Sequence, residues 1–353
     1  MKVVIAGAGP TGLTAALELE RRGIETCIVD KRPEGSGFSR AVGIMPKSLE
    51  ILTPSGVTGR LLADGIRMAD FHVFLDAREA MSFSTRGADP AYDFLLALPQ
   101  DRTEAIMRER LAELGREVAF STALVDIEQD DDGIFAIFED GRREAADYLI
   151  GADGIHSAAR QTLGLAYNGY DLPETWSIAD VEARDWPHNN SFVVSAMQGG
   201  RVAVVAHIGP TRYRVISNTP DALETLALPL DVTEIHRQGE FNISIRQVDS
   251  YQLGRVFLAG DAAHCHSPVG GRGMNLGIAD AADLARRMAD GDLSGYSAAR
   301  YAEGKTVIAE SEGARKIITS GKISRRLLFR VALAAVNALP PLKRRAARVA
   351  LRG

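Results

Sequence analysis

The sequence predicts an α/β protein: a parallel-sheet nucleotide-type unit, interrupted by sheet-rich insertions and followed by C-terminal helices. Three observations predict it. A β-branched run, a glycine turn, a helix and a second strand follow one another over residues 3–30. A second strand, glycine-rich turn and helix recur over residues 253–288. Between them, residues 168–252 alternate or run apolar in short segments, as strands do. The chain has 353 residues, 46% of them apolar and 25% charged, which suits two domains or one elaborated domain with a real core.

In the first unit, Val3-Val4-Ile5-Ala6 reads as a buried parallel strand. Gly7, Gly9 and Gly12 follow in G-x-G-x-x-G spacing, and Leu13, Ala16 and Leu17 open a helix that Gly23 ends. Residues 25–30 read as the next strand. This is the context that a dinucleotide fingerprint requires, in a Rossmann-like unit. Gly7 permits the tight turn, Gly9 lets a pyrophosphate approach the backbone, and Gly12 lets helix and strand pack closely. The phosphates would sit at a helix N-terminus, where free N–H groups and the helix dipole favour anions. Asp30, about 20 residues on, is placed to accept hydrogen bonds from ribose hydroxyls. This unit alone does not tell FAD from NAD.

Next, residues 40–52 read as a loop entering a helix at Pro46. Residues 69–99 read as strands around Phe71, Val73, Phe74, Met81, Phe83 and 94–96, and residues 101–115 as a helix. Residues 117–150 read as a meander with turns at 130–133 and 139–141. Strands are expected at 191–197, 202–208, 213–217 and 242–248, with a helix over 220–227.

Residues 253–261 read as a buried strand ending at Asp261, which would face the ligand crevice. Pro268-Val269-Gly270-Gly271-Arg272-Gly273-Met274-Asn275 forms a further glycine-rich loop before a helix over 277–288. A helix N-terminus there would stabilise the negative charge of a reduced flavin, and the glycines would let backbone approach a flat ring. Residues 148–160 give a third strand, carboxylate turn and helix, with Asp153, Gly154 and Arg160.

The three motifs, in this order, resemble those of the FAD-dependent aromatic hydroxylases, the class A flavoprotein monooxygenases typified by p-hydroxybenzoate hydroxylase. The likeness covers about residues 1–300. It implies that Arg40 and Gln100 touch FAD, that Val125 lies near the adenine, and that Asp153 serves both FAD and the nicotinamide cofactor, with Arg160 supporting its turn. It implies that Asp261 binds the ribitol or ribose region, and that Pro268, Gly273, Met274 and Asn275 flank the isoalloxazine. Arg40, Pro268 and Arg272 are then the expected catalytic residues. Arg272 stands where many relatives carry Gln, so a fixed cation is expected beside the ring. The implied reaction uses NADPH or NADH and O₂, through a flavin C4a-hydroperoxide, to hydroxylate an aromatic or other electron-rich small molecule. A flavin-dependent reductase or dehydrogenase, or a non-catalytic FAD-binding partner protein, would carry the same motifs.

The expected division is a discontinuous FAD-binding domain (1–70, 97–167 and 252–300), a substrate-binding sheet domain (71–96 and 168–251) and a helical basic tail (301–353). The net charge of −5 excludes nucleic-acid affinity for the body. No acid follows Glu312, and the residues beyond it carry +11, leaving −16 elsewhere. Cys27 and Cys265 form no C-x-x-C, and no apolar run is long enough to span a bilayer, so a reduced, soluble, cytoplasmic protein is expected. His264-Cys265-His266 is too compact for zinc-finger spacing, and no metal site is expected. His207 reads as a structural histidine before a substrate base, with Tyr213, Arg214 and Arg246 similarly placed. Trp176 and Trp186 read as packing. In residues 323–342, Leu327, Leu328, Val331, Ala334, Ala335, Ala338 and Leu339 read as one stripe packed on the body, with membrane-surface contact as the lesser reading.

Overall fold

The computed structural model describes residues 1–35 and 41–352. Its five-stranded sheet has Tyr148–Gly151 at the centre, flanked by Lys2–Ala6 and Val256–Leu258, with Glu25–Val29 beyond Lys2–Ala6. These pairings are parallel, and Gln252–Leu253 adds an antiparallel edge. Val3, Val4, Ile5, Leu149, Ile150 and 256–258 are all fully buried, as parallel strands covered on both faces must be. The helix Pro10–Glu20 is buried along most of its length, against the helices Gly273–Asp290 and Gln100–Glu113. This explains why it is apolar nearly all round.

A seven-stranded sheet runs in the order Asp231–Phe241, Trp176–Arg184, Arg212–Ser217, Val202–His207, Ser191–Ala196, Asp70–Leu75, Arg78–Ser84. Only the Ser191–Ala196 and Asp70–Leu75 pairing is parallel. Strand alternation gives it two apolar faces. On one, Ala179, Val181, Val205, Tyr213 and Val215 pack with Trp186 and the short helix Ala222–Thr225. On the other, Trp176, Val194, Val202 and Ile216 pack with Val269, Ile308 and Ile318. That second face therefore meets the loop entering the helix Gly273–Asp290. A three-stranded sheet, Tyr167–Asp171, Ser244–Val248 and His264–Cys265, ties the two large sheets together.

Three helices end the chain: Tyr296–Ile318, Ile323–Ala338 and Pro340–Ala350. Here the structure corrects the sequence reading. The stripe expected over 323–342 is broken at Pro340, which begins a new helix because it has no N–H to continue the old one. The packed face is Phe329, Leu333 and Val336, against Leu75, Met81 and Ala196. The residues expected to pack face outward instead: Leu327 is 60% exposed, Leu328 70% and Val331 58%. The helix is apolar on two sides, and only one side meets the sheet. Among the described residues, no helix is long and apolar enough to cross a membrane.

Candidate active site

Three turns at the ends of neighbouring strands pack directly on one another. Gly7 has φ +102°, and a Cβ there would lie 2.3 Å from Ala152 O and 2.8 Å from Asp153 Cα. A Cβ on Gly12 would lie 1.8 Å from Gly7 O. Gly260, at φ +61°, and Gly277 both face Thr11, whose Oγ1 would be 2.5 and 2.2 Å from their added Cβ atoms. Thr11, at the start of the first helix, thus sits between the N-terminal glycine turn and the Gly260-Asp261 turn. At Gly9 a Cβ would meet nothing within 4 Å, and the helix there begins without a side-chain cap. Open space over an uncapped helix N-terminus fits a pyrophosphate.

Asp30 ends the adjoining strand. Its Oδ2 accepts the Ala8 N–H at 2.7 Å, and its Oδ1 accepts the Arg32 N–H at 2.9 Å. The Arg32 guanidinium also pairs with it at 2.8 Å. Burial alone would raise this carboxyl, but the Arg32 side chain and the two backbone donors outweigh it and hold it below the usual range. Gln100 opens its helix, where its N–H donates to Ala41 O at 3.2 Å and its side chain to Glu104 at 2.8 Å. Arg40 lies outside the described residues. Val125 is half exposed, three residues beyond Thr122, whose N–H donates to Asp30 O.

Asp153 Oδ2 accepts the Ala158 and Ala159 N–H groups at 2.7 and 3.2 Å, while its enclosed Oδ1 has no hydrogen-bond partner. Burial pushes this carboxyl up despite the hydrogen bonds from Ser157 and the helix start. Arg160 is buried and donates to Ile155 O at 2.7 Å and Ala262 O at 2.9 Å, joining the second turn to the third. Its guanidinium lies 4.0 Å from the Tyr167 ring centroid. The Tyr167 hydroxyl donates to Asp261 O at 2.8 Å and lies 2.8 Å from Cys265 Sγ, so the Asp261 turn is held by its backbone while its side chain faces outward.

Behind that turn lies a buried network that the sequence did not reveal. Asp280 Oδ2 accepts the Gly260 N–H at 2.9 Å and His264 Nε2 at 2.6 Å, and its Oδ1 accepts Arg300 Nε at 2.6 Å. Burial would raise the Asp280 carboxyl, but His264 and Arg300 keep it below the usual range. In the expected non-metal triplet, His264 faces Asp280, Cys265 faces Tyr167, and His266 Nδ1 faces Ser267 O at 2.8 Å. His266 Nε2 is enclosed without a partner, 3.8 Å from where a Gly273 Cβ would lie, and burial lowers this imidazole to about 4.

The loop 268–272 turns back at Pro268, whose carbonyl accepts the Gly271 N–H at 2.9 Å. The helix Gly273–Asp290 starts without a side-chain cap. Asn275 is buried, and its amide is saturated: Oδ1 accepts from Met45 N–H and Ser48 Oγ at 2.8 Å each, and Nδ2 donates to Gly43 O and Gly271 O at 2.9 and 3.0 Å. Any ligand at this helix start therefore meets backbone N–H groups. Met274 packs against the main core. Arg272, expected as a fixed cation, is ion-paired with Glu310 of the helix Tyr296–Ile318.

His207 and Tyr213 stack on each other on the sheet face covered by the helix Ala222–Thr225, away from this loop. Arg246 pairs with Asp171 at 2.9 Å. Arg214, almost fully buried, pairs with Asp180 at 2.6 Å and donates to Ala41 O at 3.1 Å, on the side of the glycine turns.

Comparison with known proteins agrees with this arrangement. A family model described as FAD binding domain matches residues 1–295. The chain is 34% identical to 6-methylpretetramide 4-monooxygenase of Streptomyces rimosus, over 98% of this chain and 67% of that protein. It is 33% identical to pentachlorophenol 4-monooxygenase of Sphingobium chlorophenolicum, over 81% of this chain and 58% of that protein. The fold matches that of p-nitrophenol 4-monooxygenase from Pseudomonas putida, with a TM-score of 0.88, 22% identity, and coverage of 98% and 96% of the two chains. The chain spans about two thirds or less of the length of these two curated relatives. It belongs to the FAD binding domain family, among the FAD-dependent aromatic hydroxylases.

Proposed function

We propose that this protein hydroxylates a largely neutral, multi-ring aromatic molecule, using FAD, O₂ and NADPH or NADH, the last as a transient reductant. One observation carries the reading. The glycine-rich loop before the helix Gly273–Asp290 packs through Val269 into an apolar wall of Trp176, Val194, Val202 and Ile216. The relatives named as 6-methylpretetramide 4-monooxygenase and pentachlorophenol 4-monooxygenase support an aromatic substrate.

FAD, when bound, accepts hydride from the nicotinamide and activates O₂. The chain supplies the rest. The open turn at Gly9 and the uncapped helix at Pro10 would hold the pyrophosphate, and Asp30 the ribose, displacing part of Arg32. Asp153 and Asp261 would hold the middle of the cofactor, with Arg160 fixing the distance between their turns. Val125 would border the adenine, and Gln100 would reach the cofactor from the Ala41 side; the resemblance assigns Arg40 to the cofactor as well. Pro268 shapes the loop, and the backbone N–H groups of Gly273, Met274 and Asn275 would stabilise negative charge on the reduced ring. The apolar wall would keep water away from the reacting atoms. Arg272, paired with Glu310, is held by that pair rather than standing as a free cation.

The test is turnover of NADH and NADPH by FAD-reconstituted protein across a panel of phenols and polycyclic aromatics under ¹⁸O₂. One labelled oxygen atom in the product is expected. Reductant consumption with no labelled product on any panel member would overturn the proposal, and oxygen-independent turnover would favour a reductase.

A further inference from the structure

The C-terminal helix pair presents a surface that the flavin site does not use. Along the helix Ile323–Ala338, Leu327, Val331, Ala334 and Ala338 recur at spacings of four, three and four residues, so they lie on one face, with Leu328 beside them. That face is exposed, while Leu333 and Val336 on another side of the helix pack on the strand Arg78–Ser84 and its neighbours. The helix is therefore anchored, with its outward apolar stripe already formed.

A cation borders the stripe: Arg330 stands three residues from Leu327, at the edge of the exposed face. The following helix exposes Arg344, Arg345 and Arg348, which share one face by their spacing. Of the basic residues after Lys316, only Arg326 has an acidic partner among the described residues, namely Asp76. An exposed apolar stripe with an unpaired cation at its edge, followed by a helix that exposes three more, is the pattern of a segment that lies in the plane of a lipid–water interface. The stripe sinks into the acyl boundary, and the arginines reach the headgroups.

We propose that this helix pair docks the enzyme onto an anionic lipid surface, lying on the membrane without crossing it. The charge distribution selects lipid over a second copy of the chain. A symmetric tail-to-tail contact would bring together two segments of +11 with no acid after Glu312 in either. An anionic bilayer supplies both the negative charge and the apolar depth. Docking is independent of the proposed reaction, because it needs no turnover.

The FAD-loaded protein is to be floated with vesicles of phosphatidylcholine containing phosphatidylglycerol, and with phosphatidylcholine alone, at low and high salt. Binding to the anionic vesicles, weakened by salt, is expected. Each cation near such a surface is worth about fivefold in binding. Arg344→Glu with Arg345→Glu and Arg348→Glu should therefore lower binding by more than tenfold. Leu327→Ser with Leu328→Ser and Val331→Ser should abolish it, with FAD content and melting temperature unchanged. A second readout uses Leu328→Cys carrying an environment-sensitive fluorophore, whose emission should shift to the blue on vesicle addition. The proposal is overturned by absence of binding, by binding that the serine variant retains (plain electrostatic adhesion), by a label that reports no change, or by a concentration-dependent dimer in place of vesicle binding.

Discussion

Asp280 offers the sharpest test of how the cofactor site is held. The perturbation is Asp280→Asn, which keeps the side-chain volume and removes the charge. The carboxylate is fully buried and receives three donors: the Gly260 N–H, His264 Nε2 and Arg300 Nε. Removing one partner of a buried ion pair costs about 3–5 kcal/mol, because the remaining charge is left uncompensated. The asparagine keeps one acceptor oxygen, so the expected cost is at the lower end, about 3 kcal/mol. Part of it should appear as cofactor loss, since the Gly260 N–H belongs to the turn that carries Asp261. A share of 1.4–2.7 kcal/mol, at about 1.4 per factor of ten, gives a Kd for FAD some ten to a hundred times weaker. The assay is titration of apoprotein with FAD, followed by flavin fluorescence, with melts run with and without FAD. Arg300→Gln is the companion variant: it disturbs the same ion pair but leaves the Gly260 contact, so it should lower the melting temperature while changing FAD affinity far less. If Asp280→Asn binds FAD as the parent does, or if both variants lose affinity equally, the argument that Asp280 positions the turn fails.

The two N-terminal glycines should part company. Gly7→Ala places a methyl 2.3 Å from a backbone oxygen at φ +102°, so little FAD-loaded protein is expected, whereas Gly9→Ala meets open space and should fold normally yet bind FAD about tenfold more weakly; parental FAD affinity in Gly9→Ala would refute the phosphate assignment. Tyr167→Phe removes the hydroxyl that donates to Asp261 O, a loss of about 1 kcal/mol, read as roughly fivefold weaker FAD binding, and an unchanged Kd would count against it. His266 makes a pH prediction. Burial lowers its pKa from 6.5 to about 4, so between these values the unfolded chain binds a proton that the folded chain refuses. Stability is therefore lost as pH falls from 6.5 towards 4, by about 2 kcal/mol after allowing for incomplete enclosure. His266→Gln should flatten that part of the melting-temperature profile, and an acid limb identical to the parent's would exclude His266 as its source.

The glycine and carboxylate turns were legible because their chemistry is local. Gly7, Gly9, Gly12 and Asp30 each answer a need set within a few residues, or within one strand–helix–strand unit. What holds the turns from behind was not. Asp280 sits on a helix in an apolar stretch, and only the fold shows that it points back at Gly260, 20 residues earlier. Thr11 reads as an ordinary helix-start residue until Gly260 and Gly277 are found against it. The strand Asp231–Phe241 lies at an edge and is largely exposed, so it lacks the alternation that marks a half-buried strand. The distinction between His207 and Arg214 is one of parity. They lie on opposite faces of one sheet, and the sequence does not say which face meets the glycine turns. In the helix Ile323–Ala338, apolar residues occupy two sides, so periodicity alone could not choose the packed one.

The apolar wall that the proposed reading gives to the substrate extends beyond the part of the chain that the family model matches. That match ends at residue 295. Yet Ile308 and Ile318 of the helix Tyr296–Ile318 join Val269, Trp176 and Ile216 in the apolar wall, and Glu310 of the same helix engages Arg272. The residues that would grip the cofactor come from strand ends in the matched region, where turn chemistry leaves little freedom. The apolar wall is completed by the later part of a helix whose first turns carry Tyr296 and Arg300, the partners of Leu258 O and Asp280. Ile308 and Ile318 can change without disturbing the turns, because they pack on the sheet and on Val269, whereas Arg300 on the same helix cannot, because it pairs with the Asp280 that holds Gly260. On the proposed reading, the matched region would set the cofactor, and the sheet with the segment that follows it would set the shape of the substrate.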